Sequence, residues 1–107
     1  MSDADSSRLA TVISALDHPT RRRIIATLLD GDRHVSAMAR ELGVSRPVVH
    51  VHLGKLQAAG LATSRLEFSA DGKALRRYML TRFHIPLTPE VVAEAAAADH
   101  YRTQKDE

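Results

Sequence analysis

Apolar residues recur at three- and four-residue steps along most of this 107-residue chain and alternate only in one stretch after Leu61. Leu9, Val12, Ile13 and Leu16 mark one face of a first helix over 6–16, after a tail at 1–5 expected to be disordered. His18-Pro19 breaks that helix. Thr20 is expected to cap a second one over 20–29, with Ile24, Ile25, Leu28 and Leu29 inside and Arg21, Arg22 and Arg23 at its start. Asp30-Gly31-Asp32 ends it, and a third helix over 36–42 and a fourth over 46–59 follow, the last stopped by Gly60. The alternating stretch predicts strands at 65–68 and 75–81 around an Asp71-Gly72 turn. An extended piece over 83–87, with Pro86, leads to Thr88, which caps a final helix starting at Pro89.

The stretch from Val35 to Leu61 carries the sharpest pattern, that of a helix-turn-helix. Ala39 stands where two crossing helices need a small side chain, and Gly43 where the turn needs positive φ. Val44 and Val49 supply apolar contacts between the helices, Ser45 is a good N-cap, and Pro47 is tolerated in the first helical turn. The spacing implies a DNA-reading helix pair, and a chance helical hairpin rarely meets all these requirements at once. The hairpin directly after it reads as a two-stranded wing. The expected fold is therefore mainly α with a small β-hairpin, a winged helix-turn-helix over 6–87, with the helix from 88–107 as a dimerisation element.

Charge sharpens this picture. Net charge is only +2, but residues 18–85 hold 12 Lys and Arg against 5 Asp and Glu, while the two ends hold 3 against 8. A basic centre suits a polyanion, and acidic ends suit another role. Aromatic residues are 4% and Trp is absent, so the core must be built from Leu, Val, Ile and Ala. The absence of cysteine excludes disulfides and thiolate metal sites. No apolar run approaches the ~20 residues of a membrane span, and the polar N-terminus is unlike a signal peptide, so a soluble, cytoplasmic chain is expected.

With these elements in order, the chain resembles the winged helix-turn-helix transcription regulators of the arsenic-repressor (ArsR) family. The resemblance rests on His18-Pro19-Thr20-Arg21, on Glu41-Leu42-Gly43-Val44-Ser45, and on His52-Leu53 followed by Leu56 and Ala59-Gly60-Leu61, with Asp71-Gly72 where the family places its wing. It covers 6–80 and implies a dimeric, sequence-specific binder of double-stranded DNA, usually a repressor. Metal-sensing members use cysteines near the third helix, or Asp and His ligands on the last. This chain offers no cysteine, and there only Asp99-His100, neighbours about 100° apart on a helix. His50 and His52 also diverge, and His34 and His84 fall on predicted loops. No metal site and no cofactor is expected.

A helix in the major groove reads bases with its outward face. With Val49 and Leu53 inward, the outward set is Ser45, Arg46, Pro47, His50, Val51 and Gly54. Arg46 is the candidate for bidentate contact with guanine, His50 for a base or phosphate, and Pro47 or Val51 for a thymine methyl. Gly54 permits close approach, Lys55 suits a phosphate, and His52 is assigned to packing within the domain. On the wing, Lys73 and Arg76 are assigned to DNA, while Arg65 and Arg77 are left open, as are the three arginines from Arg21 to Arg23. Leu9, Val12 and Ile13 from the first helix, with Val91, Val92, Ala95 and Ala98 from the last, are the expected homodimer interface. The alternative to the dimer is a last helix that folds back on its own domain.

Two rival functions are weaker. A winged-helix protein-interaction module without specific DNA binding would show large apolar anchors on the fourth helix, where Arg46, His50 and Lys55 stand instead. An enzyme would need a phosphate loop, paired carboxylates or a metal cluster, and none is present.

Overall fold

The structure, a computed structural model, describes the backbone of residues 3–106 and the side chains of residues 7–98. Five helices and three strands follow in the order α1 (Asp3–Leu16), α2 (Pro19–Asp30), β1 (Arg33–His34), α3 (Val35–Leu42), α4 (Arg46–Ala58), β2 (Ala62–Phe68), β3 (Ala74–Leu80) and α5 (Pro89–Asp106). The chain divides into two compact units, one running from Ala15 to Phe83, the other made of the chain before and after it. The sequence division differs from this, because it kept the whole first helix with the winged region. α1 starts at Asp3, earlier than apolar spacing alone indicates, while Met1 and Ser2 of the expected tail lie outside the described residues.

Within the unit from Ala15 to Phe83, local chemistry sets most element ends. α2 is capped by His18 rather than Thr20: the His18 backbone is extended, and its Nδ1 accepts a hydrogen bond from the Thr20 amide at 3.1 Å. Pro19, which has no amide hydrogen to satisfy, then takes the first helical position. Ile24 and Leu28, four residues apart, are buried, but Leu29 is 78% exposed and not inside as expected. It lies a further 100° around the helix from Leu28, past the edge of the buried stripe.

α3 ends where Gly43 takes φ +69°, and the amides of Gly43 and Val44 both donate to the Ala39 carbonyl. That left-handed residue turns the chain into α4, where the Ser45 side chain accepts from the Val48 amide at 3.4 Å. Val49, Leu53 and Leu56 of α4 are wholly buried, together with Ile24 and Met38. α4 closes in a Schellman motif. The Leu61 amide donates to the Leu56 carbonyl and the Gly60 amide to that of Gln57, both at 2.9 Å, with Gly60 at φ +76°.

The wing is larger than the sequence indicates. β2 and β3 pair antiparallel from Ala62↔Leu80 to Phe68↔Ala74, so β2 begins three residues before the expected 65–68 while β3 is offset by one residue from 75–81, and β1 adds to the other edge of β3 through Arg33↔Tyr78 and His34↔Arg77. The sheet therefore has three strands in the order β1-β3-β2 instead of two, and His34 stands on a strand, not on a loop. A two-residue strand has no period to read, and only the neighbouring edge defines it. At the tip, Gly72 adopts φ +85° and the Ser69 amide donates to the Lys73 carbonyl at 2.8 Å. Tyr78 anchors the base of the sheet as a buried residue.

In the other unit, the Thr88 hydroxyl accepts from the Val91 amide at 3.1 Å and caps α5 as expected. Leu9, Val91 and Ala95 form one buried cluster, so α1 and α5 meet within a single chain. Val12 is buried as well. The seven residues assigned to a dimer interface thus divide: these four are already covered, while Ile13 (53% exposed), Val92 (46%) and Ala98 remain open to solvent.

Candidate nucleic-acid interface

Inward placement of Val49, Leu53 and Leu56 orients α4, and the opposite side of the helix faces solvent. Ser45, Arg46, Pro47, His50, Val51, Gly54 and Lys55 are all exposed. Val48, which the sequence reading did not assign, joins them at 40% exposure. Its position 100° from Val49 on the helical wheel was a usable signal for this.

His52 sits at the edge of the face and is tied into the protein. Its ring lies 4.4 Å from that of His18, centroid to centroid, and the Arg21 guanidinium donates to its Nδ1 at 3.2 Å. A guanidinium only donates, so Nδ1 carries no proton. Burial, then the charges of His18 and Arg21, hold the His52 pKa below the ordinary histidine value. This contact joins the start of α2 to the middle of α4.

The three arginines at the start of α2 have identifiable protein partners. Arg21 Nε donates to the Ala15 carbonyl at 2.6 Å, Arg22 to the Leu16 carbonyl at 2.8 Å, and Arg23 to the Leu42 carbonyl at 3.3 Å. Cations at a helix N-terminus oppose its dipole, but here they reach the last carbonyls of α1 and α3, where that dipole welcomes them.

On the wing the basic residues separate into two groups. Glu67 Oε1 accepts from Arg77 Nε at 2.9 Å and lies 3.2 Å from His34 Nε2, while its other oxygen is 3.4 Å from Arg65 Nε. One carboxylate therefore ties the three strands together, and the hydrogen bonds from Arg77 and then His34 hold its pKa below the usual glutamate range. Lys73 and Arg76 are exposed. The Lys73 ammonium lies 3.9 Å from the Asp71 carboxylate, and Arg76 donates to the Ser64 hydroxyl at 3.2 Å. Gln57 of α4 donates to that same hydroxyl at 3.2 Å, which links the end of α4 to the wing.

Among the described residues, no three His, Asp or Glu side chains come together as a group able to hold a metal ion, and the side chains of Asp99 and His100 lie outside those residues. Among the same residues, no helix is long and apolar enough to cross a membrane.

Five helices, a glycine turn into an exposed α4 and a sheet ending in a basic wing define a winged helix-turn-helix protein. Residues 16–65 match the family model described as a helix-turn-helix domain. An uncharacterized HTH-type transcriptional regulator of Methanocaldococcus jannaschii is 35% identical over 78 residues, 73% of this chain and 81% of that protein. The biofilm growth-associated repressor of Xylella fastidiosa is 27% identical over 60 residues, 56% of this chain, and the match spans only 53% of that repressor's length. A crystallised ArsR family transcriptional regulator superposes with a TM-score of 0.59 at 21% identity, covering 92% of this chain and 97% of that one. The chain belongs to the helix-turn-helix transcription regulators and has the winged helix of the ArsR type. Regulators of this family act by binding double-stranded DNA and are not enzymes.

Proposed function

We propose that the chain acts as a homodimeric repressor that reads a palindromic operator with α4 in the major groove and sets its wing on the backbone or minor groove. The single observation that carries this reading is that α4 leaves Arg46, His50, Gly54 and Lys55 exposed while Val49, Leu53 and Leu56 are wholly buried. In this reading Arg46 binds guanine O6 and N7, His50 a base or phosphate, and Lys55 a phosphate, with Ser45 at the groove edge and Pro47 and Val51 against thymine. Lys73 and Arg76 bind phosphates beside the wing, whereas Arg77 is held by Glu67 and serves the sheet. The name of the Xylella fastidiosa relative supports repression as the output.

For the dimer, Ile13 and Val92 offer exposed apolar side chains on α1 and α5. A two-fold pair of chains sets two copies of α4 about one DNA turn apart, ~34 Å. Ala98 adds a small side chain to the same pairing, and Leu9, Val12, Val91 and Ala95 support it from within.

Selection of bound sites from random duplex DNA, followed by titration at several salt concentrations, tests the proposal. A palindromic site is expected. Arg46→Ala should cost about 1–3 kcal/mol and relax preference at one base pair. Lys73→Ala should weaken all sites alike and lower the salt slope by about one. Equal binding of selected and scrambled duplexes refutes the DNA assignment. Sedimentation equilibrium at tens of micromolar tests the dimer separately, since the mass of one chain there would refute it, and Val92→Glu should produce that mass.

A further inference from the structure

The exposed face of α4 is split along its length. Successive helical residues advance by about 100°, so with Pro47 at zero, Arg46 and His50 lie about 100° and 60° to one side. Val51 and Val48 lie about 40° and 100° to the other. Arg46 and His50 therefore line one edge and the two valines the other, with Lys55 on the valine side one turn beyond Val51. Pro47, Val48, Val51 and the edge of His52 form a shallow groove of about 260 Å³, in which Val51 is 61% exposed. The Arg21 contact holds the His52 Nδ1, so the groove is walled by a pyrrolidine ring, two isopropyl groups and an imidazole edge.

Folding does not explain two exposed valines here. Valine is a weaker helix former than alanine, lysine or glutamine because the helix restricts its χ1, and at an exposed position no packing offsets this. A ligand that covers the groove supplies the missing burial. We infer that this groove receives the C5-methyl group of thymine, so that each half-site holds one or two T·A pairs beside the pair that Arg46 contacts.

The occupant follows from what surrounds the groove. Lys55 stands exposed about 40° round the helix from Val51 and one turn further on, beside the groove, and a cation there favours a polyanion. In the major groove the one apolar group that a base presents is the thymine methyl. A protein partner is a poorer fit, because binding hot spots are enriched in Trp, Tyr and Arg and poor in valine. The inference rests on the DNA reading above, which already sets Pro47 and Val51 against thymine, and adds Val48 and His52 to that contact and its place beside the pair that Arg46 contacts.

Deoxyuridine in place of each thymine of the selected site, one position at a time, is the test. The exchange keeps the base pair and removes only the methyl group. Affinity should fall about fourfold, the worth of one buried methyl, at one or two adjacent positions per half-site. Val51→Ala or Val48→Ala should erase that discrimination at the same position, with circular dichroism confirming a folded protein. Indifference to deoxyuridine at every thymine, or discrimination that survives in both variants, overturns the inference while leaving sequence-specific binding intact. Binding that never distinguishes a selected duplex from a scrambled one overturns this inference and the DNA reading together.

Discussion

Gly54→Ala separates what α4 does for folding from what it does on DNA. Gly54 is an interior residue of a 13-residue helix, exposed, and a Cβ built on it meets no atom within 4 Å. Nothing in the protein therefore requires glycine there. Glycine within a helix costs about 0.5–1 kcal/mol relative to alanine, largely because the unfolded chain has more freedom to lose. The variant should gain that amount. For a domain of this size each kcal/mol moves Tm by about 4–8 °C, so Tm should rise by about 2–8 °C.

The effect on DNA should have the opposite sign. Gly54 lies about 20° from Pro47 and about 40° from His50, in the middle of the face assigned to the major groove. A methyl group forced into a close interface costs about 1–3 kcal/mol, an affinity loss of about 5- to 150-fold. Differential scanning calorimetry and operator titration on the same preparation read both quantities. A lower Tm would refute the claim that the glycine is a folding cost. A higher Tm with unchanged affinity would place Gly54 outside the interface, and the rotation of α4 assigned here would fall with it.

Two further expectations concern pH. His52 binds a proton less readily in the folded protein than in the unfolded chain, so stability should fall as pH drops below the ordinary histidine value of 6.5 and onward to the folded-state pKa. His52→Asn keeps an acceptor near Arg21 but cannot titrate, so its urea midpoint should change less between about pH 7.5 and about pH 5.5 than that of the unmodified protein; equal changes would refute this. Glu67, whose pKa is also depressed, has linkage of the same sign in a lower pH range: its contribution is present above about pH 4.5 and is lost as pH falls through the lower folded-state value. Glu67→Gln should therefore lower stability near neutral pH and flatten the acid limb of the urea-unfolding profile, and an unchanged profile would show that the tie between the three strands contributes nothing.

Much of the reading face was legible in the sequence because its rules are local. Ser45 caps α4 through an amide three residues on, Gly43 turns the chain by its own φ, and the 100° step sets Pro47 and Val51 about 120–160° from Val49 and Leu53. The Gly60 stop and the Asp71-Gly72 tip are equally short-range. Local patterning failed where the edge of a stripe mattered: it put Leu29 inside and Thr20 in the place of His18.

What only the tertiary structure decided is which distant groups meet. Arg21 and His52 are 31 residues apart, His34 and Glu67 are 33 apart, and neither pairing has a periodic signature. The same holds for β1, whose two residues become a strand only because the edge of β3 offers them hydrogen bonds. Charge counts showed a basic centre, but packing determined that Arg21, Arg22 and Arg23 reach helix-end carbonyls and that Arg77 reaches Glu67, leaving Arg46, Lys55 and Lys73 at the surface. Apolar spacing on α1 and α5 marked residues that want burial, and the fold covered Leu9, Val91 and Ala95 while leaving Ile13 and Val92 exposed. Capping, φ preference and periodicity act within a few residues of the chain, whereas a cation's partner or an apolar side chain's cover depends on elements brought together from far along it.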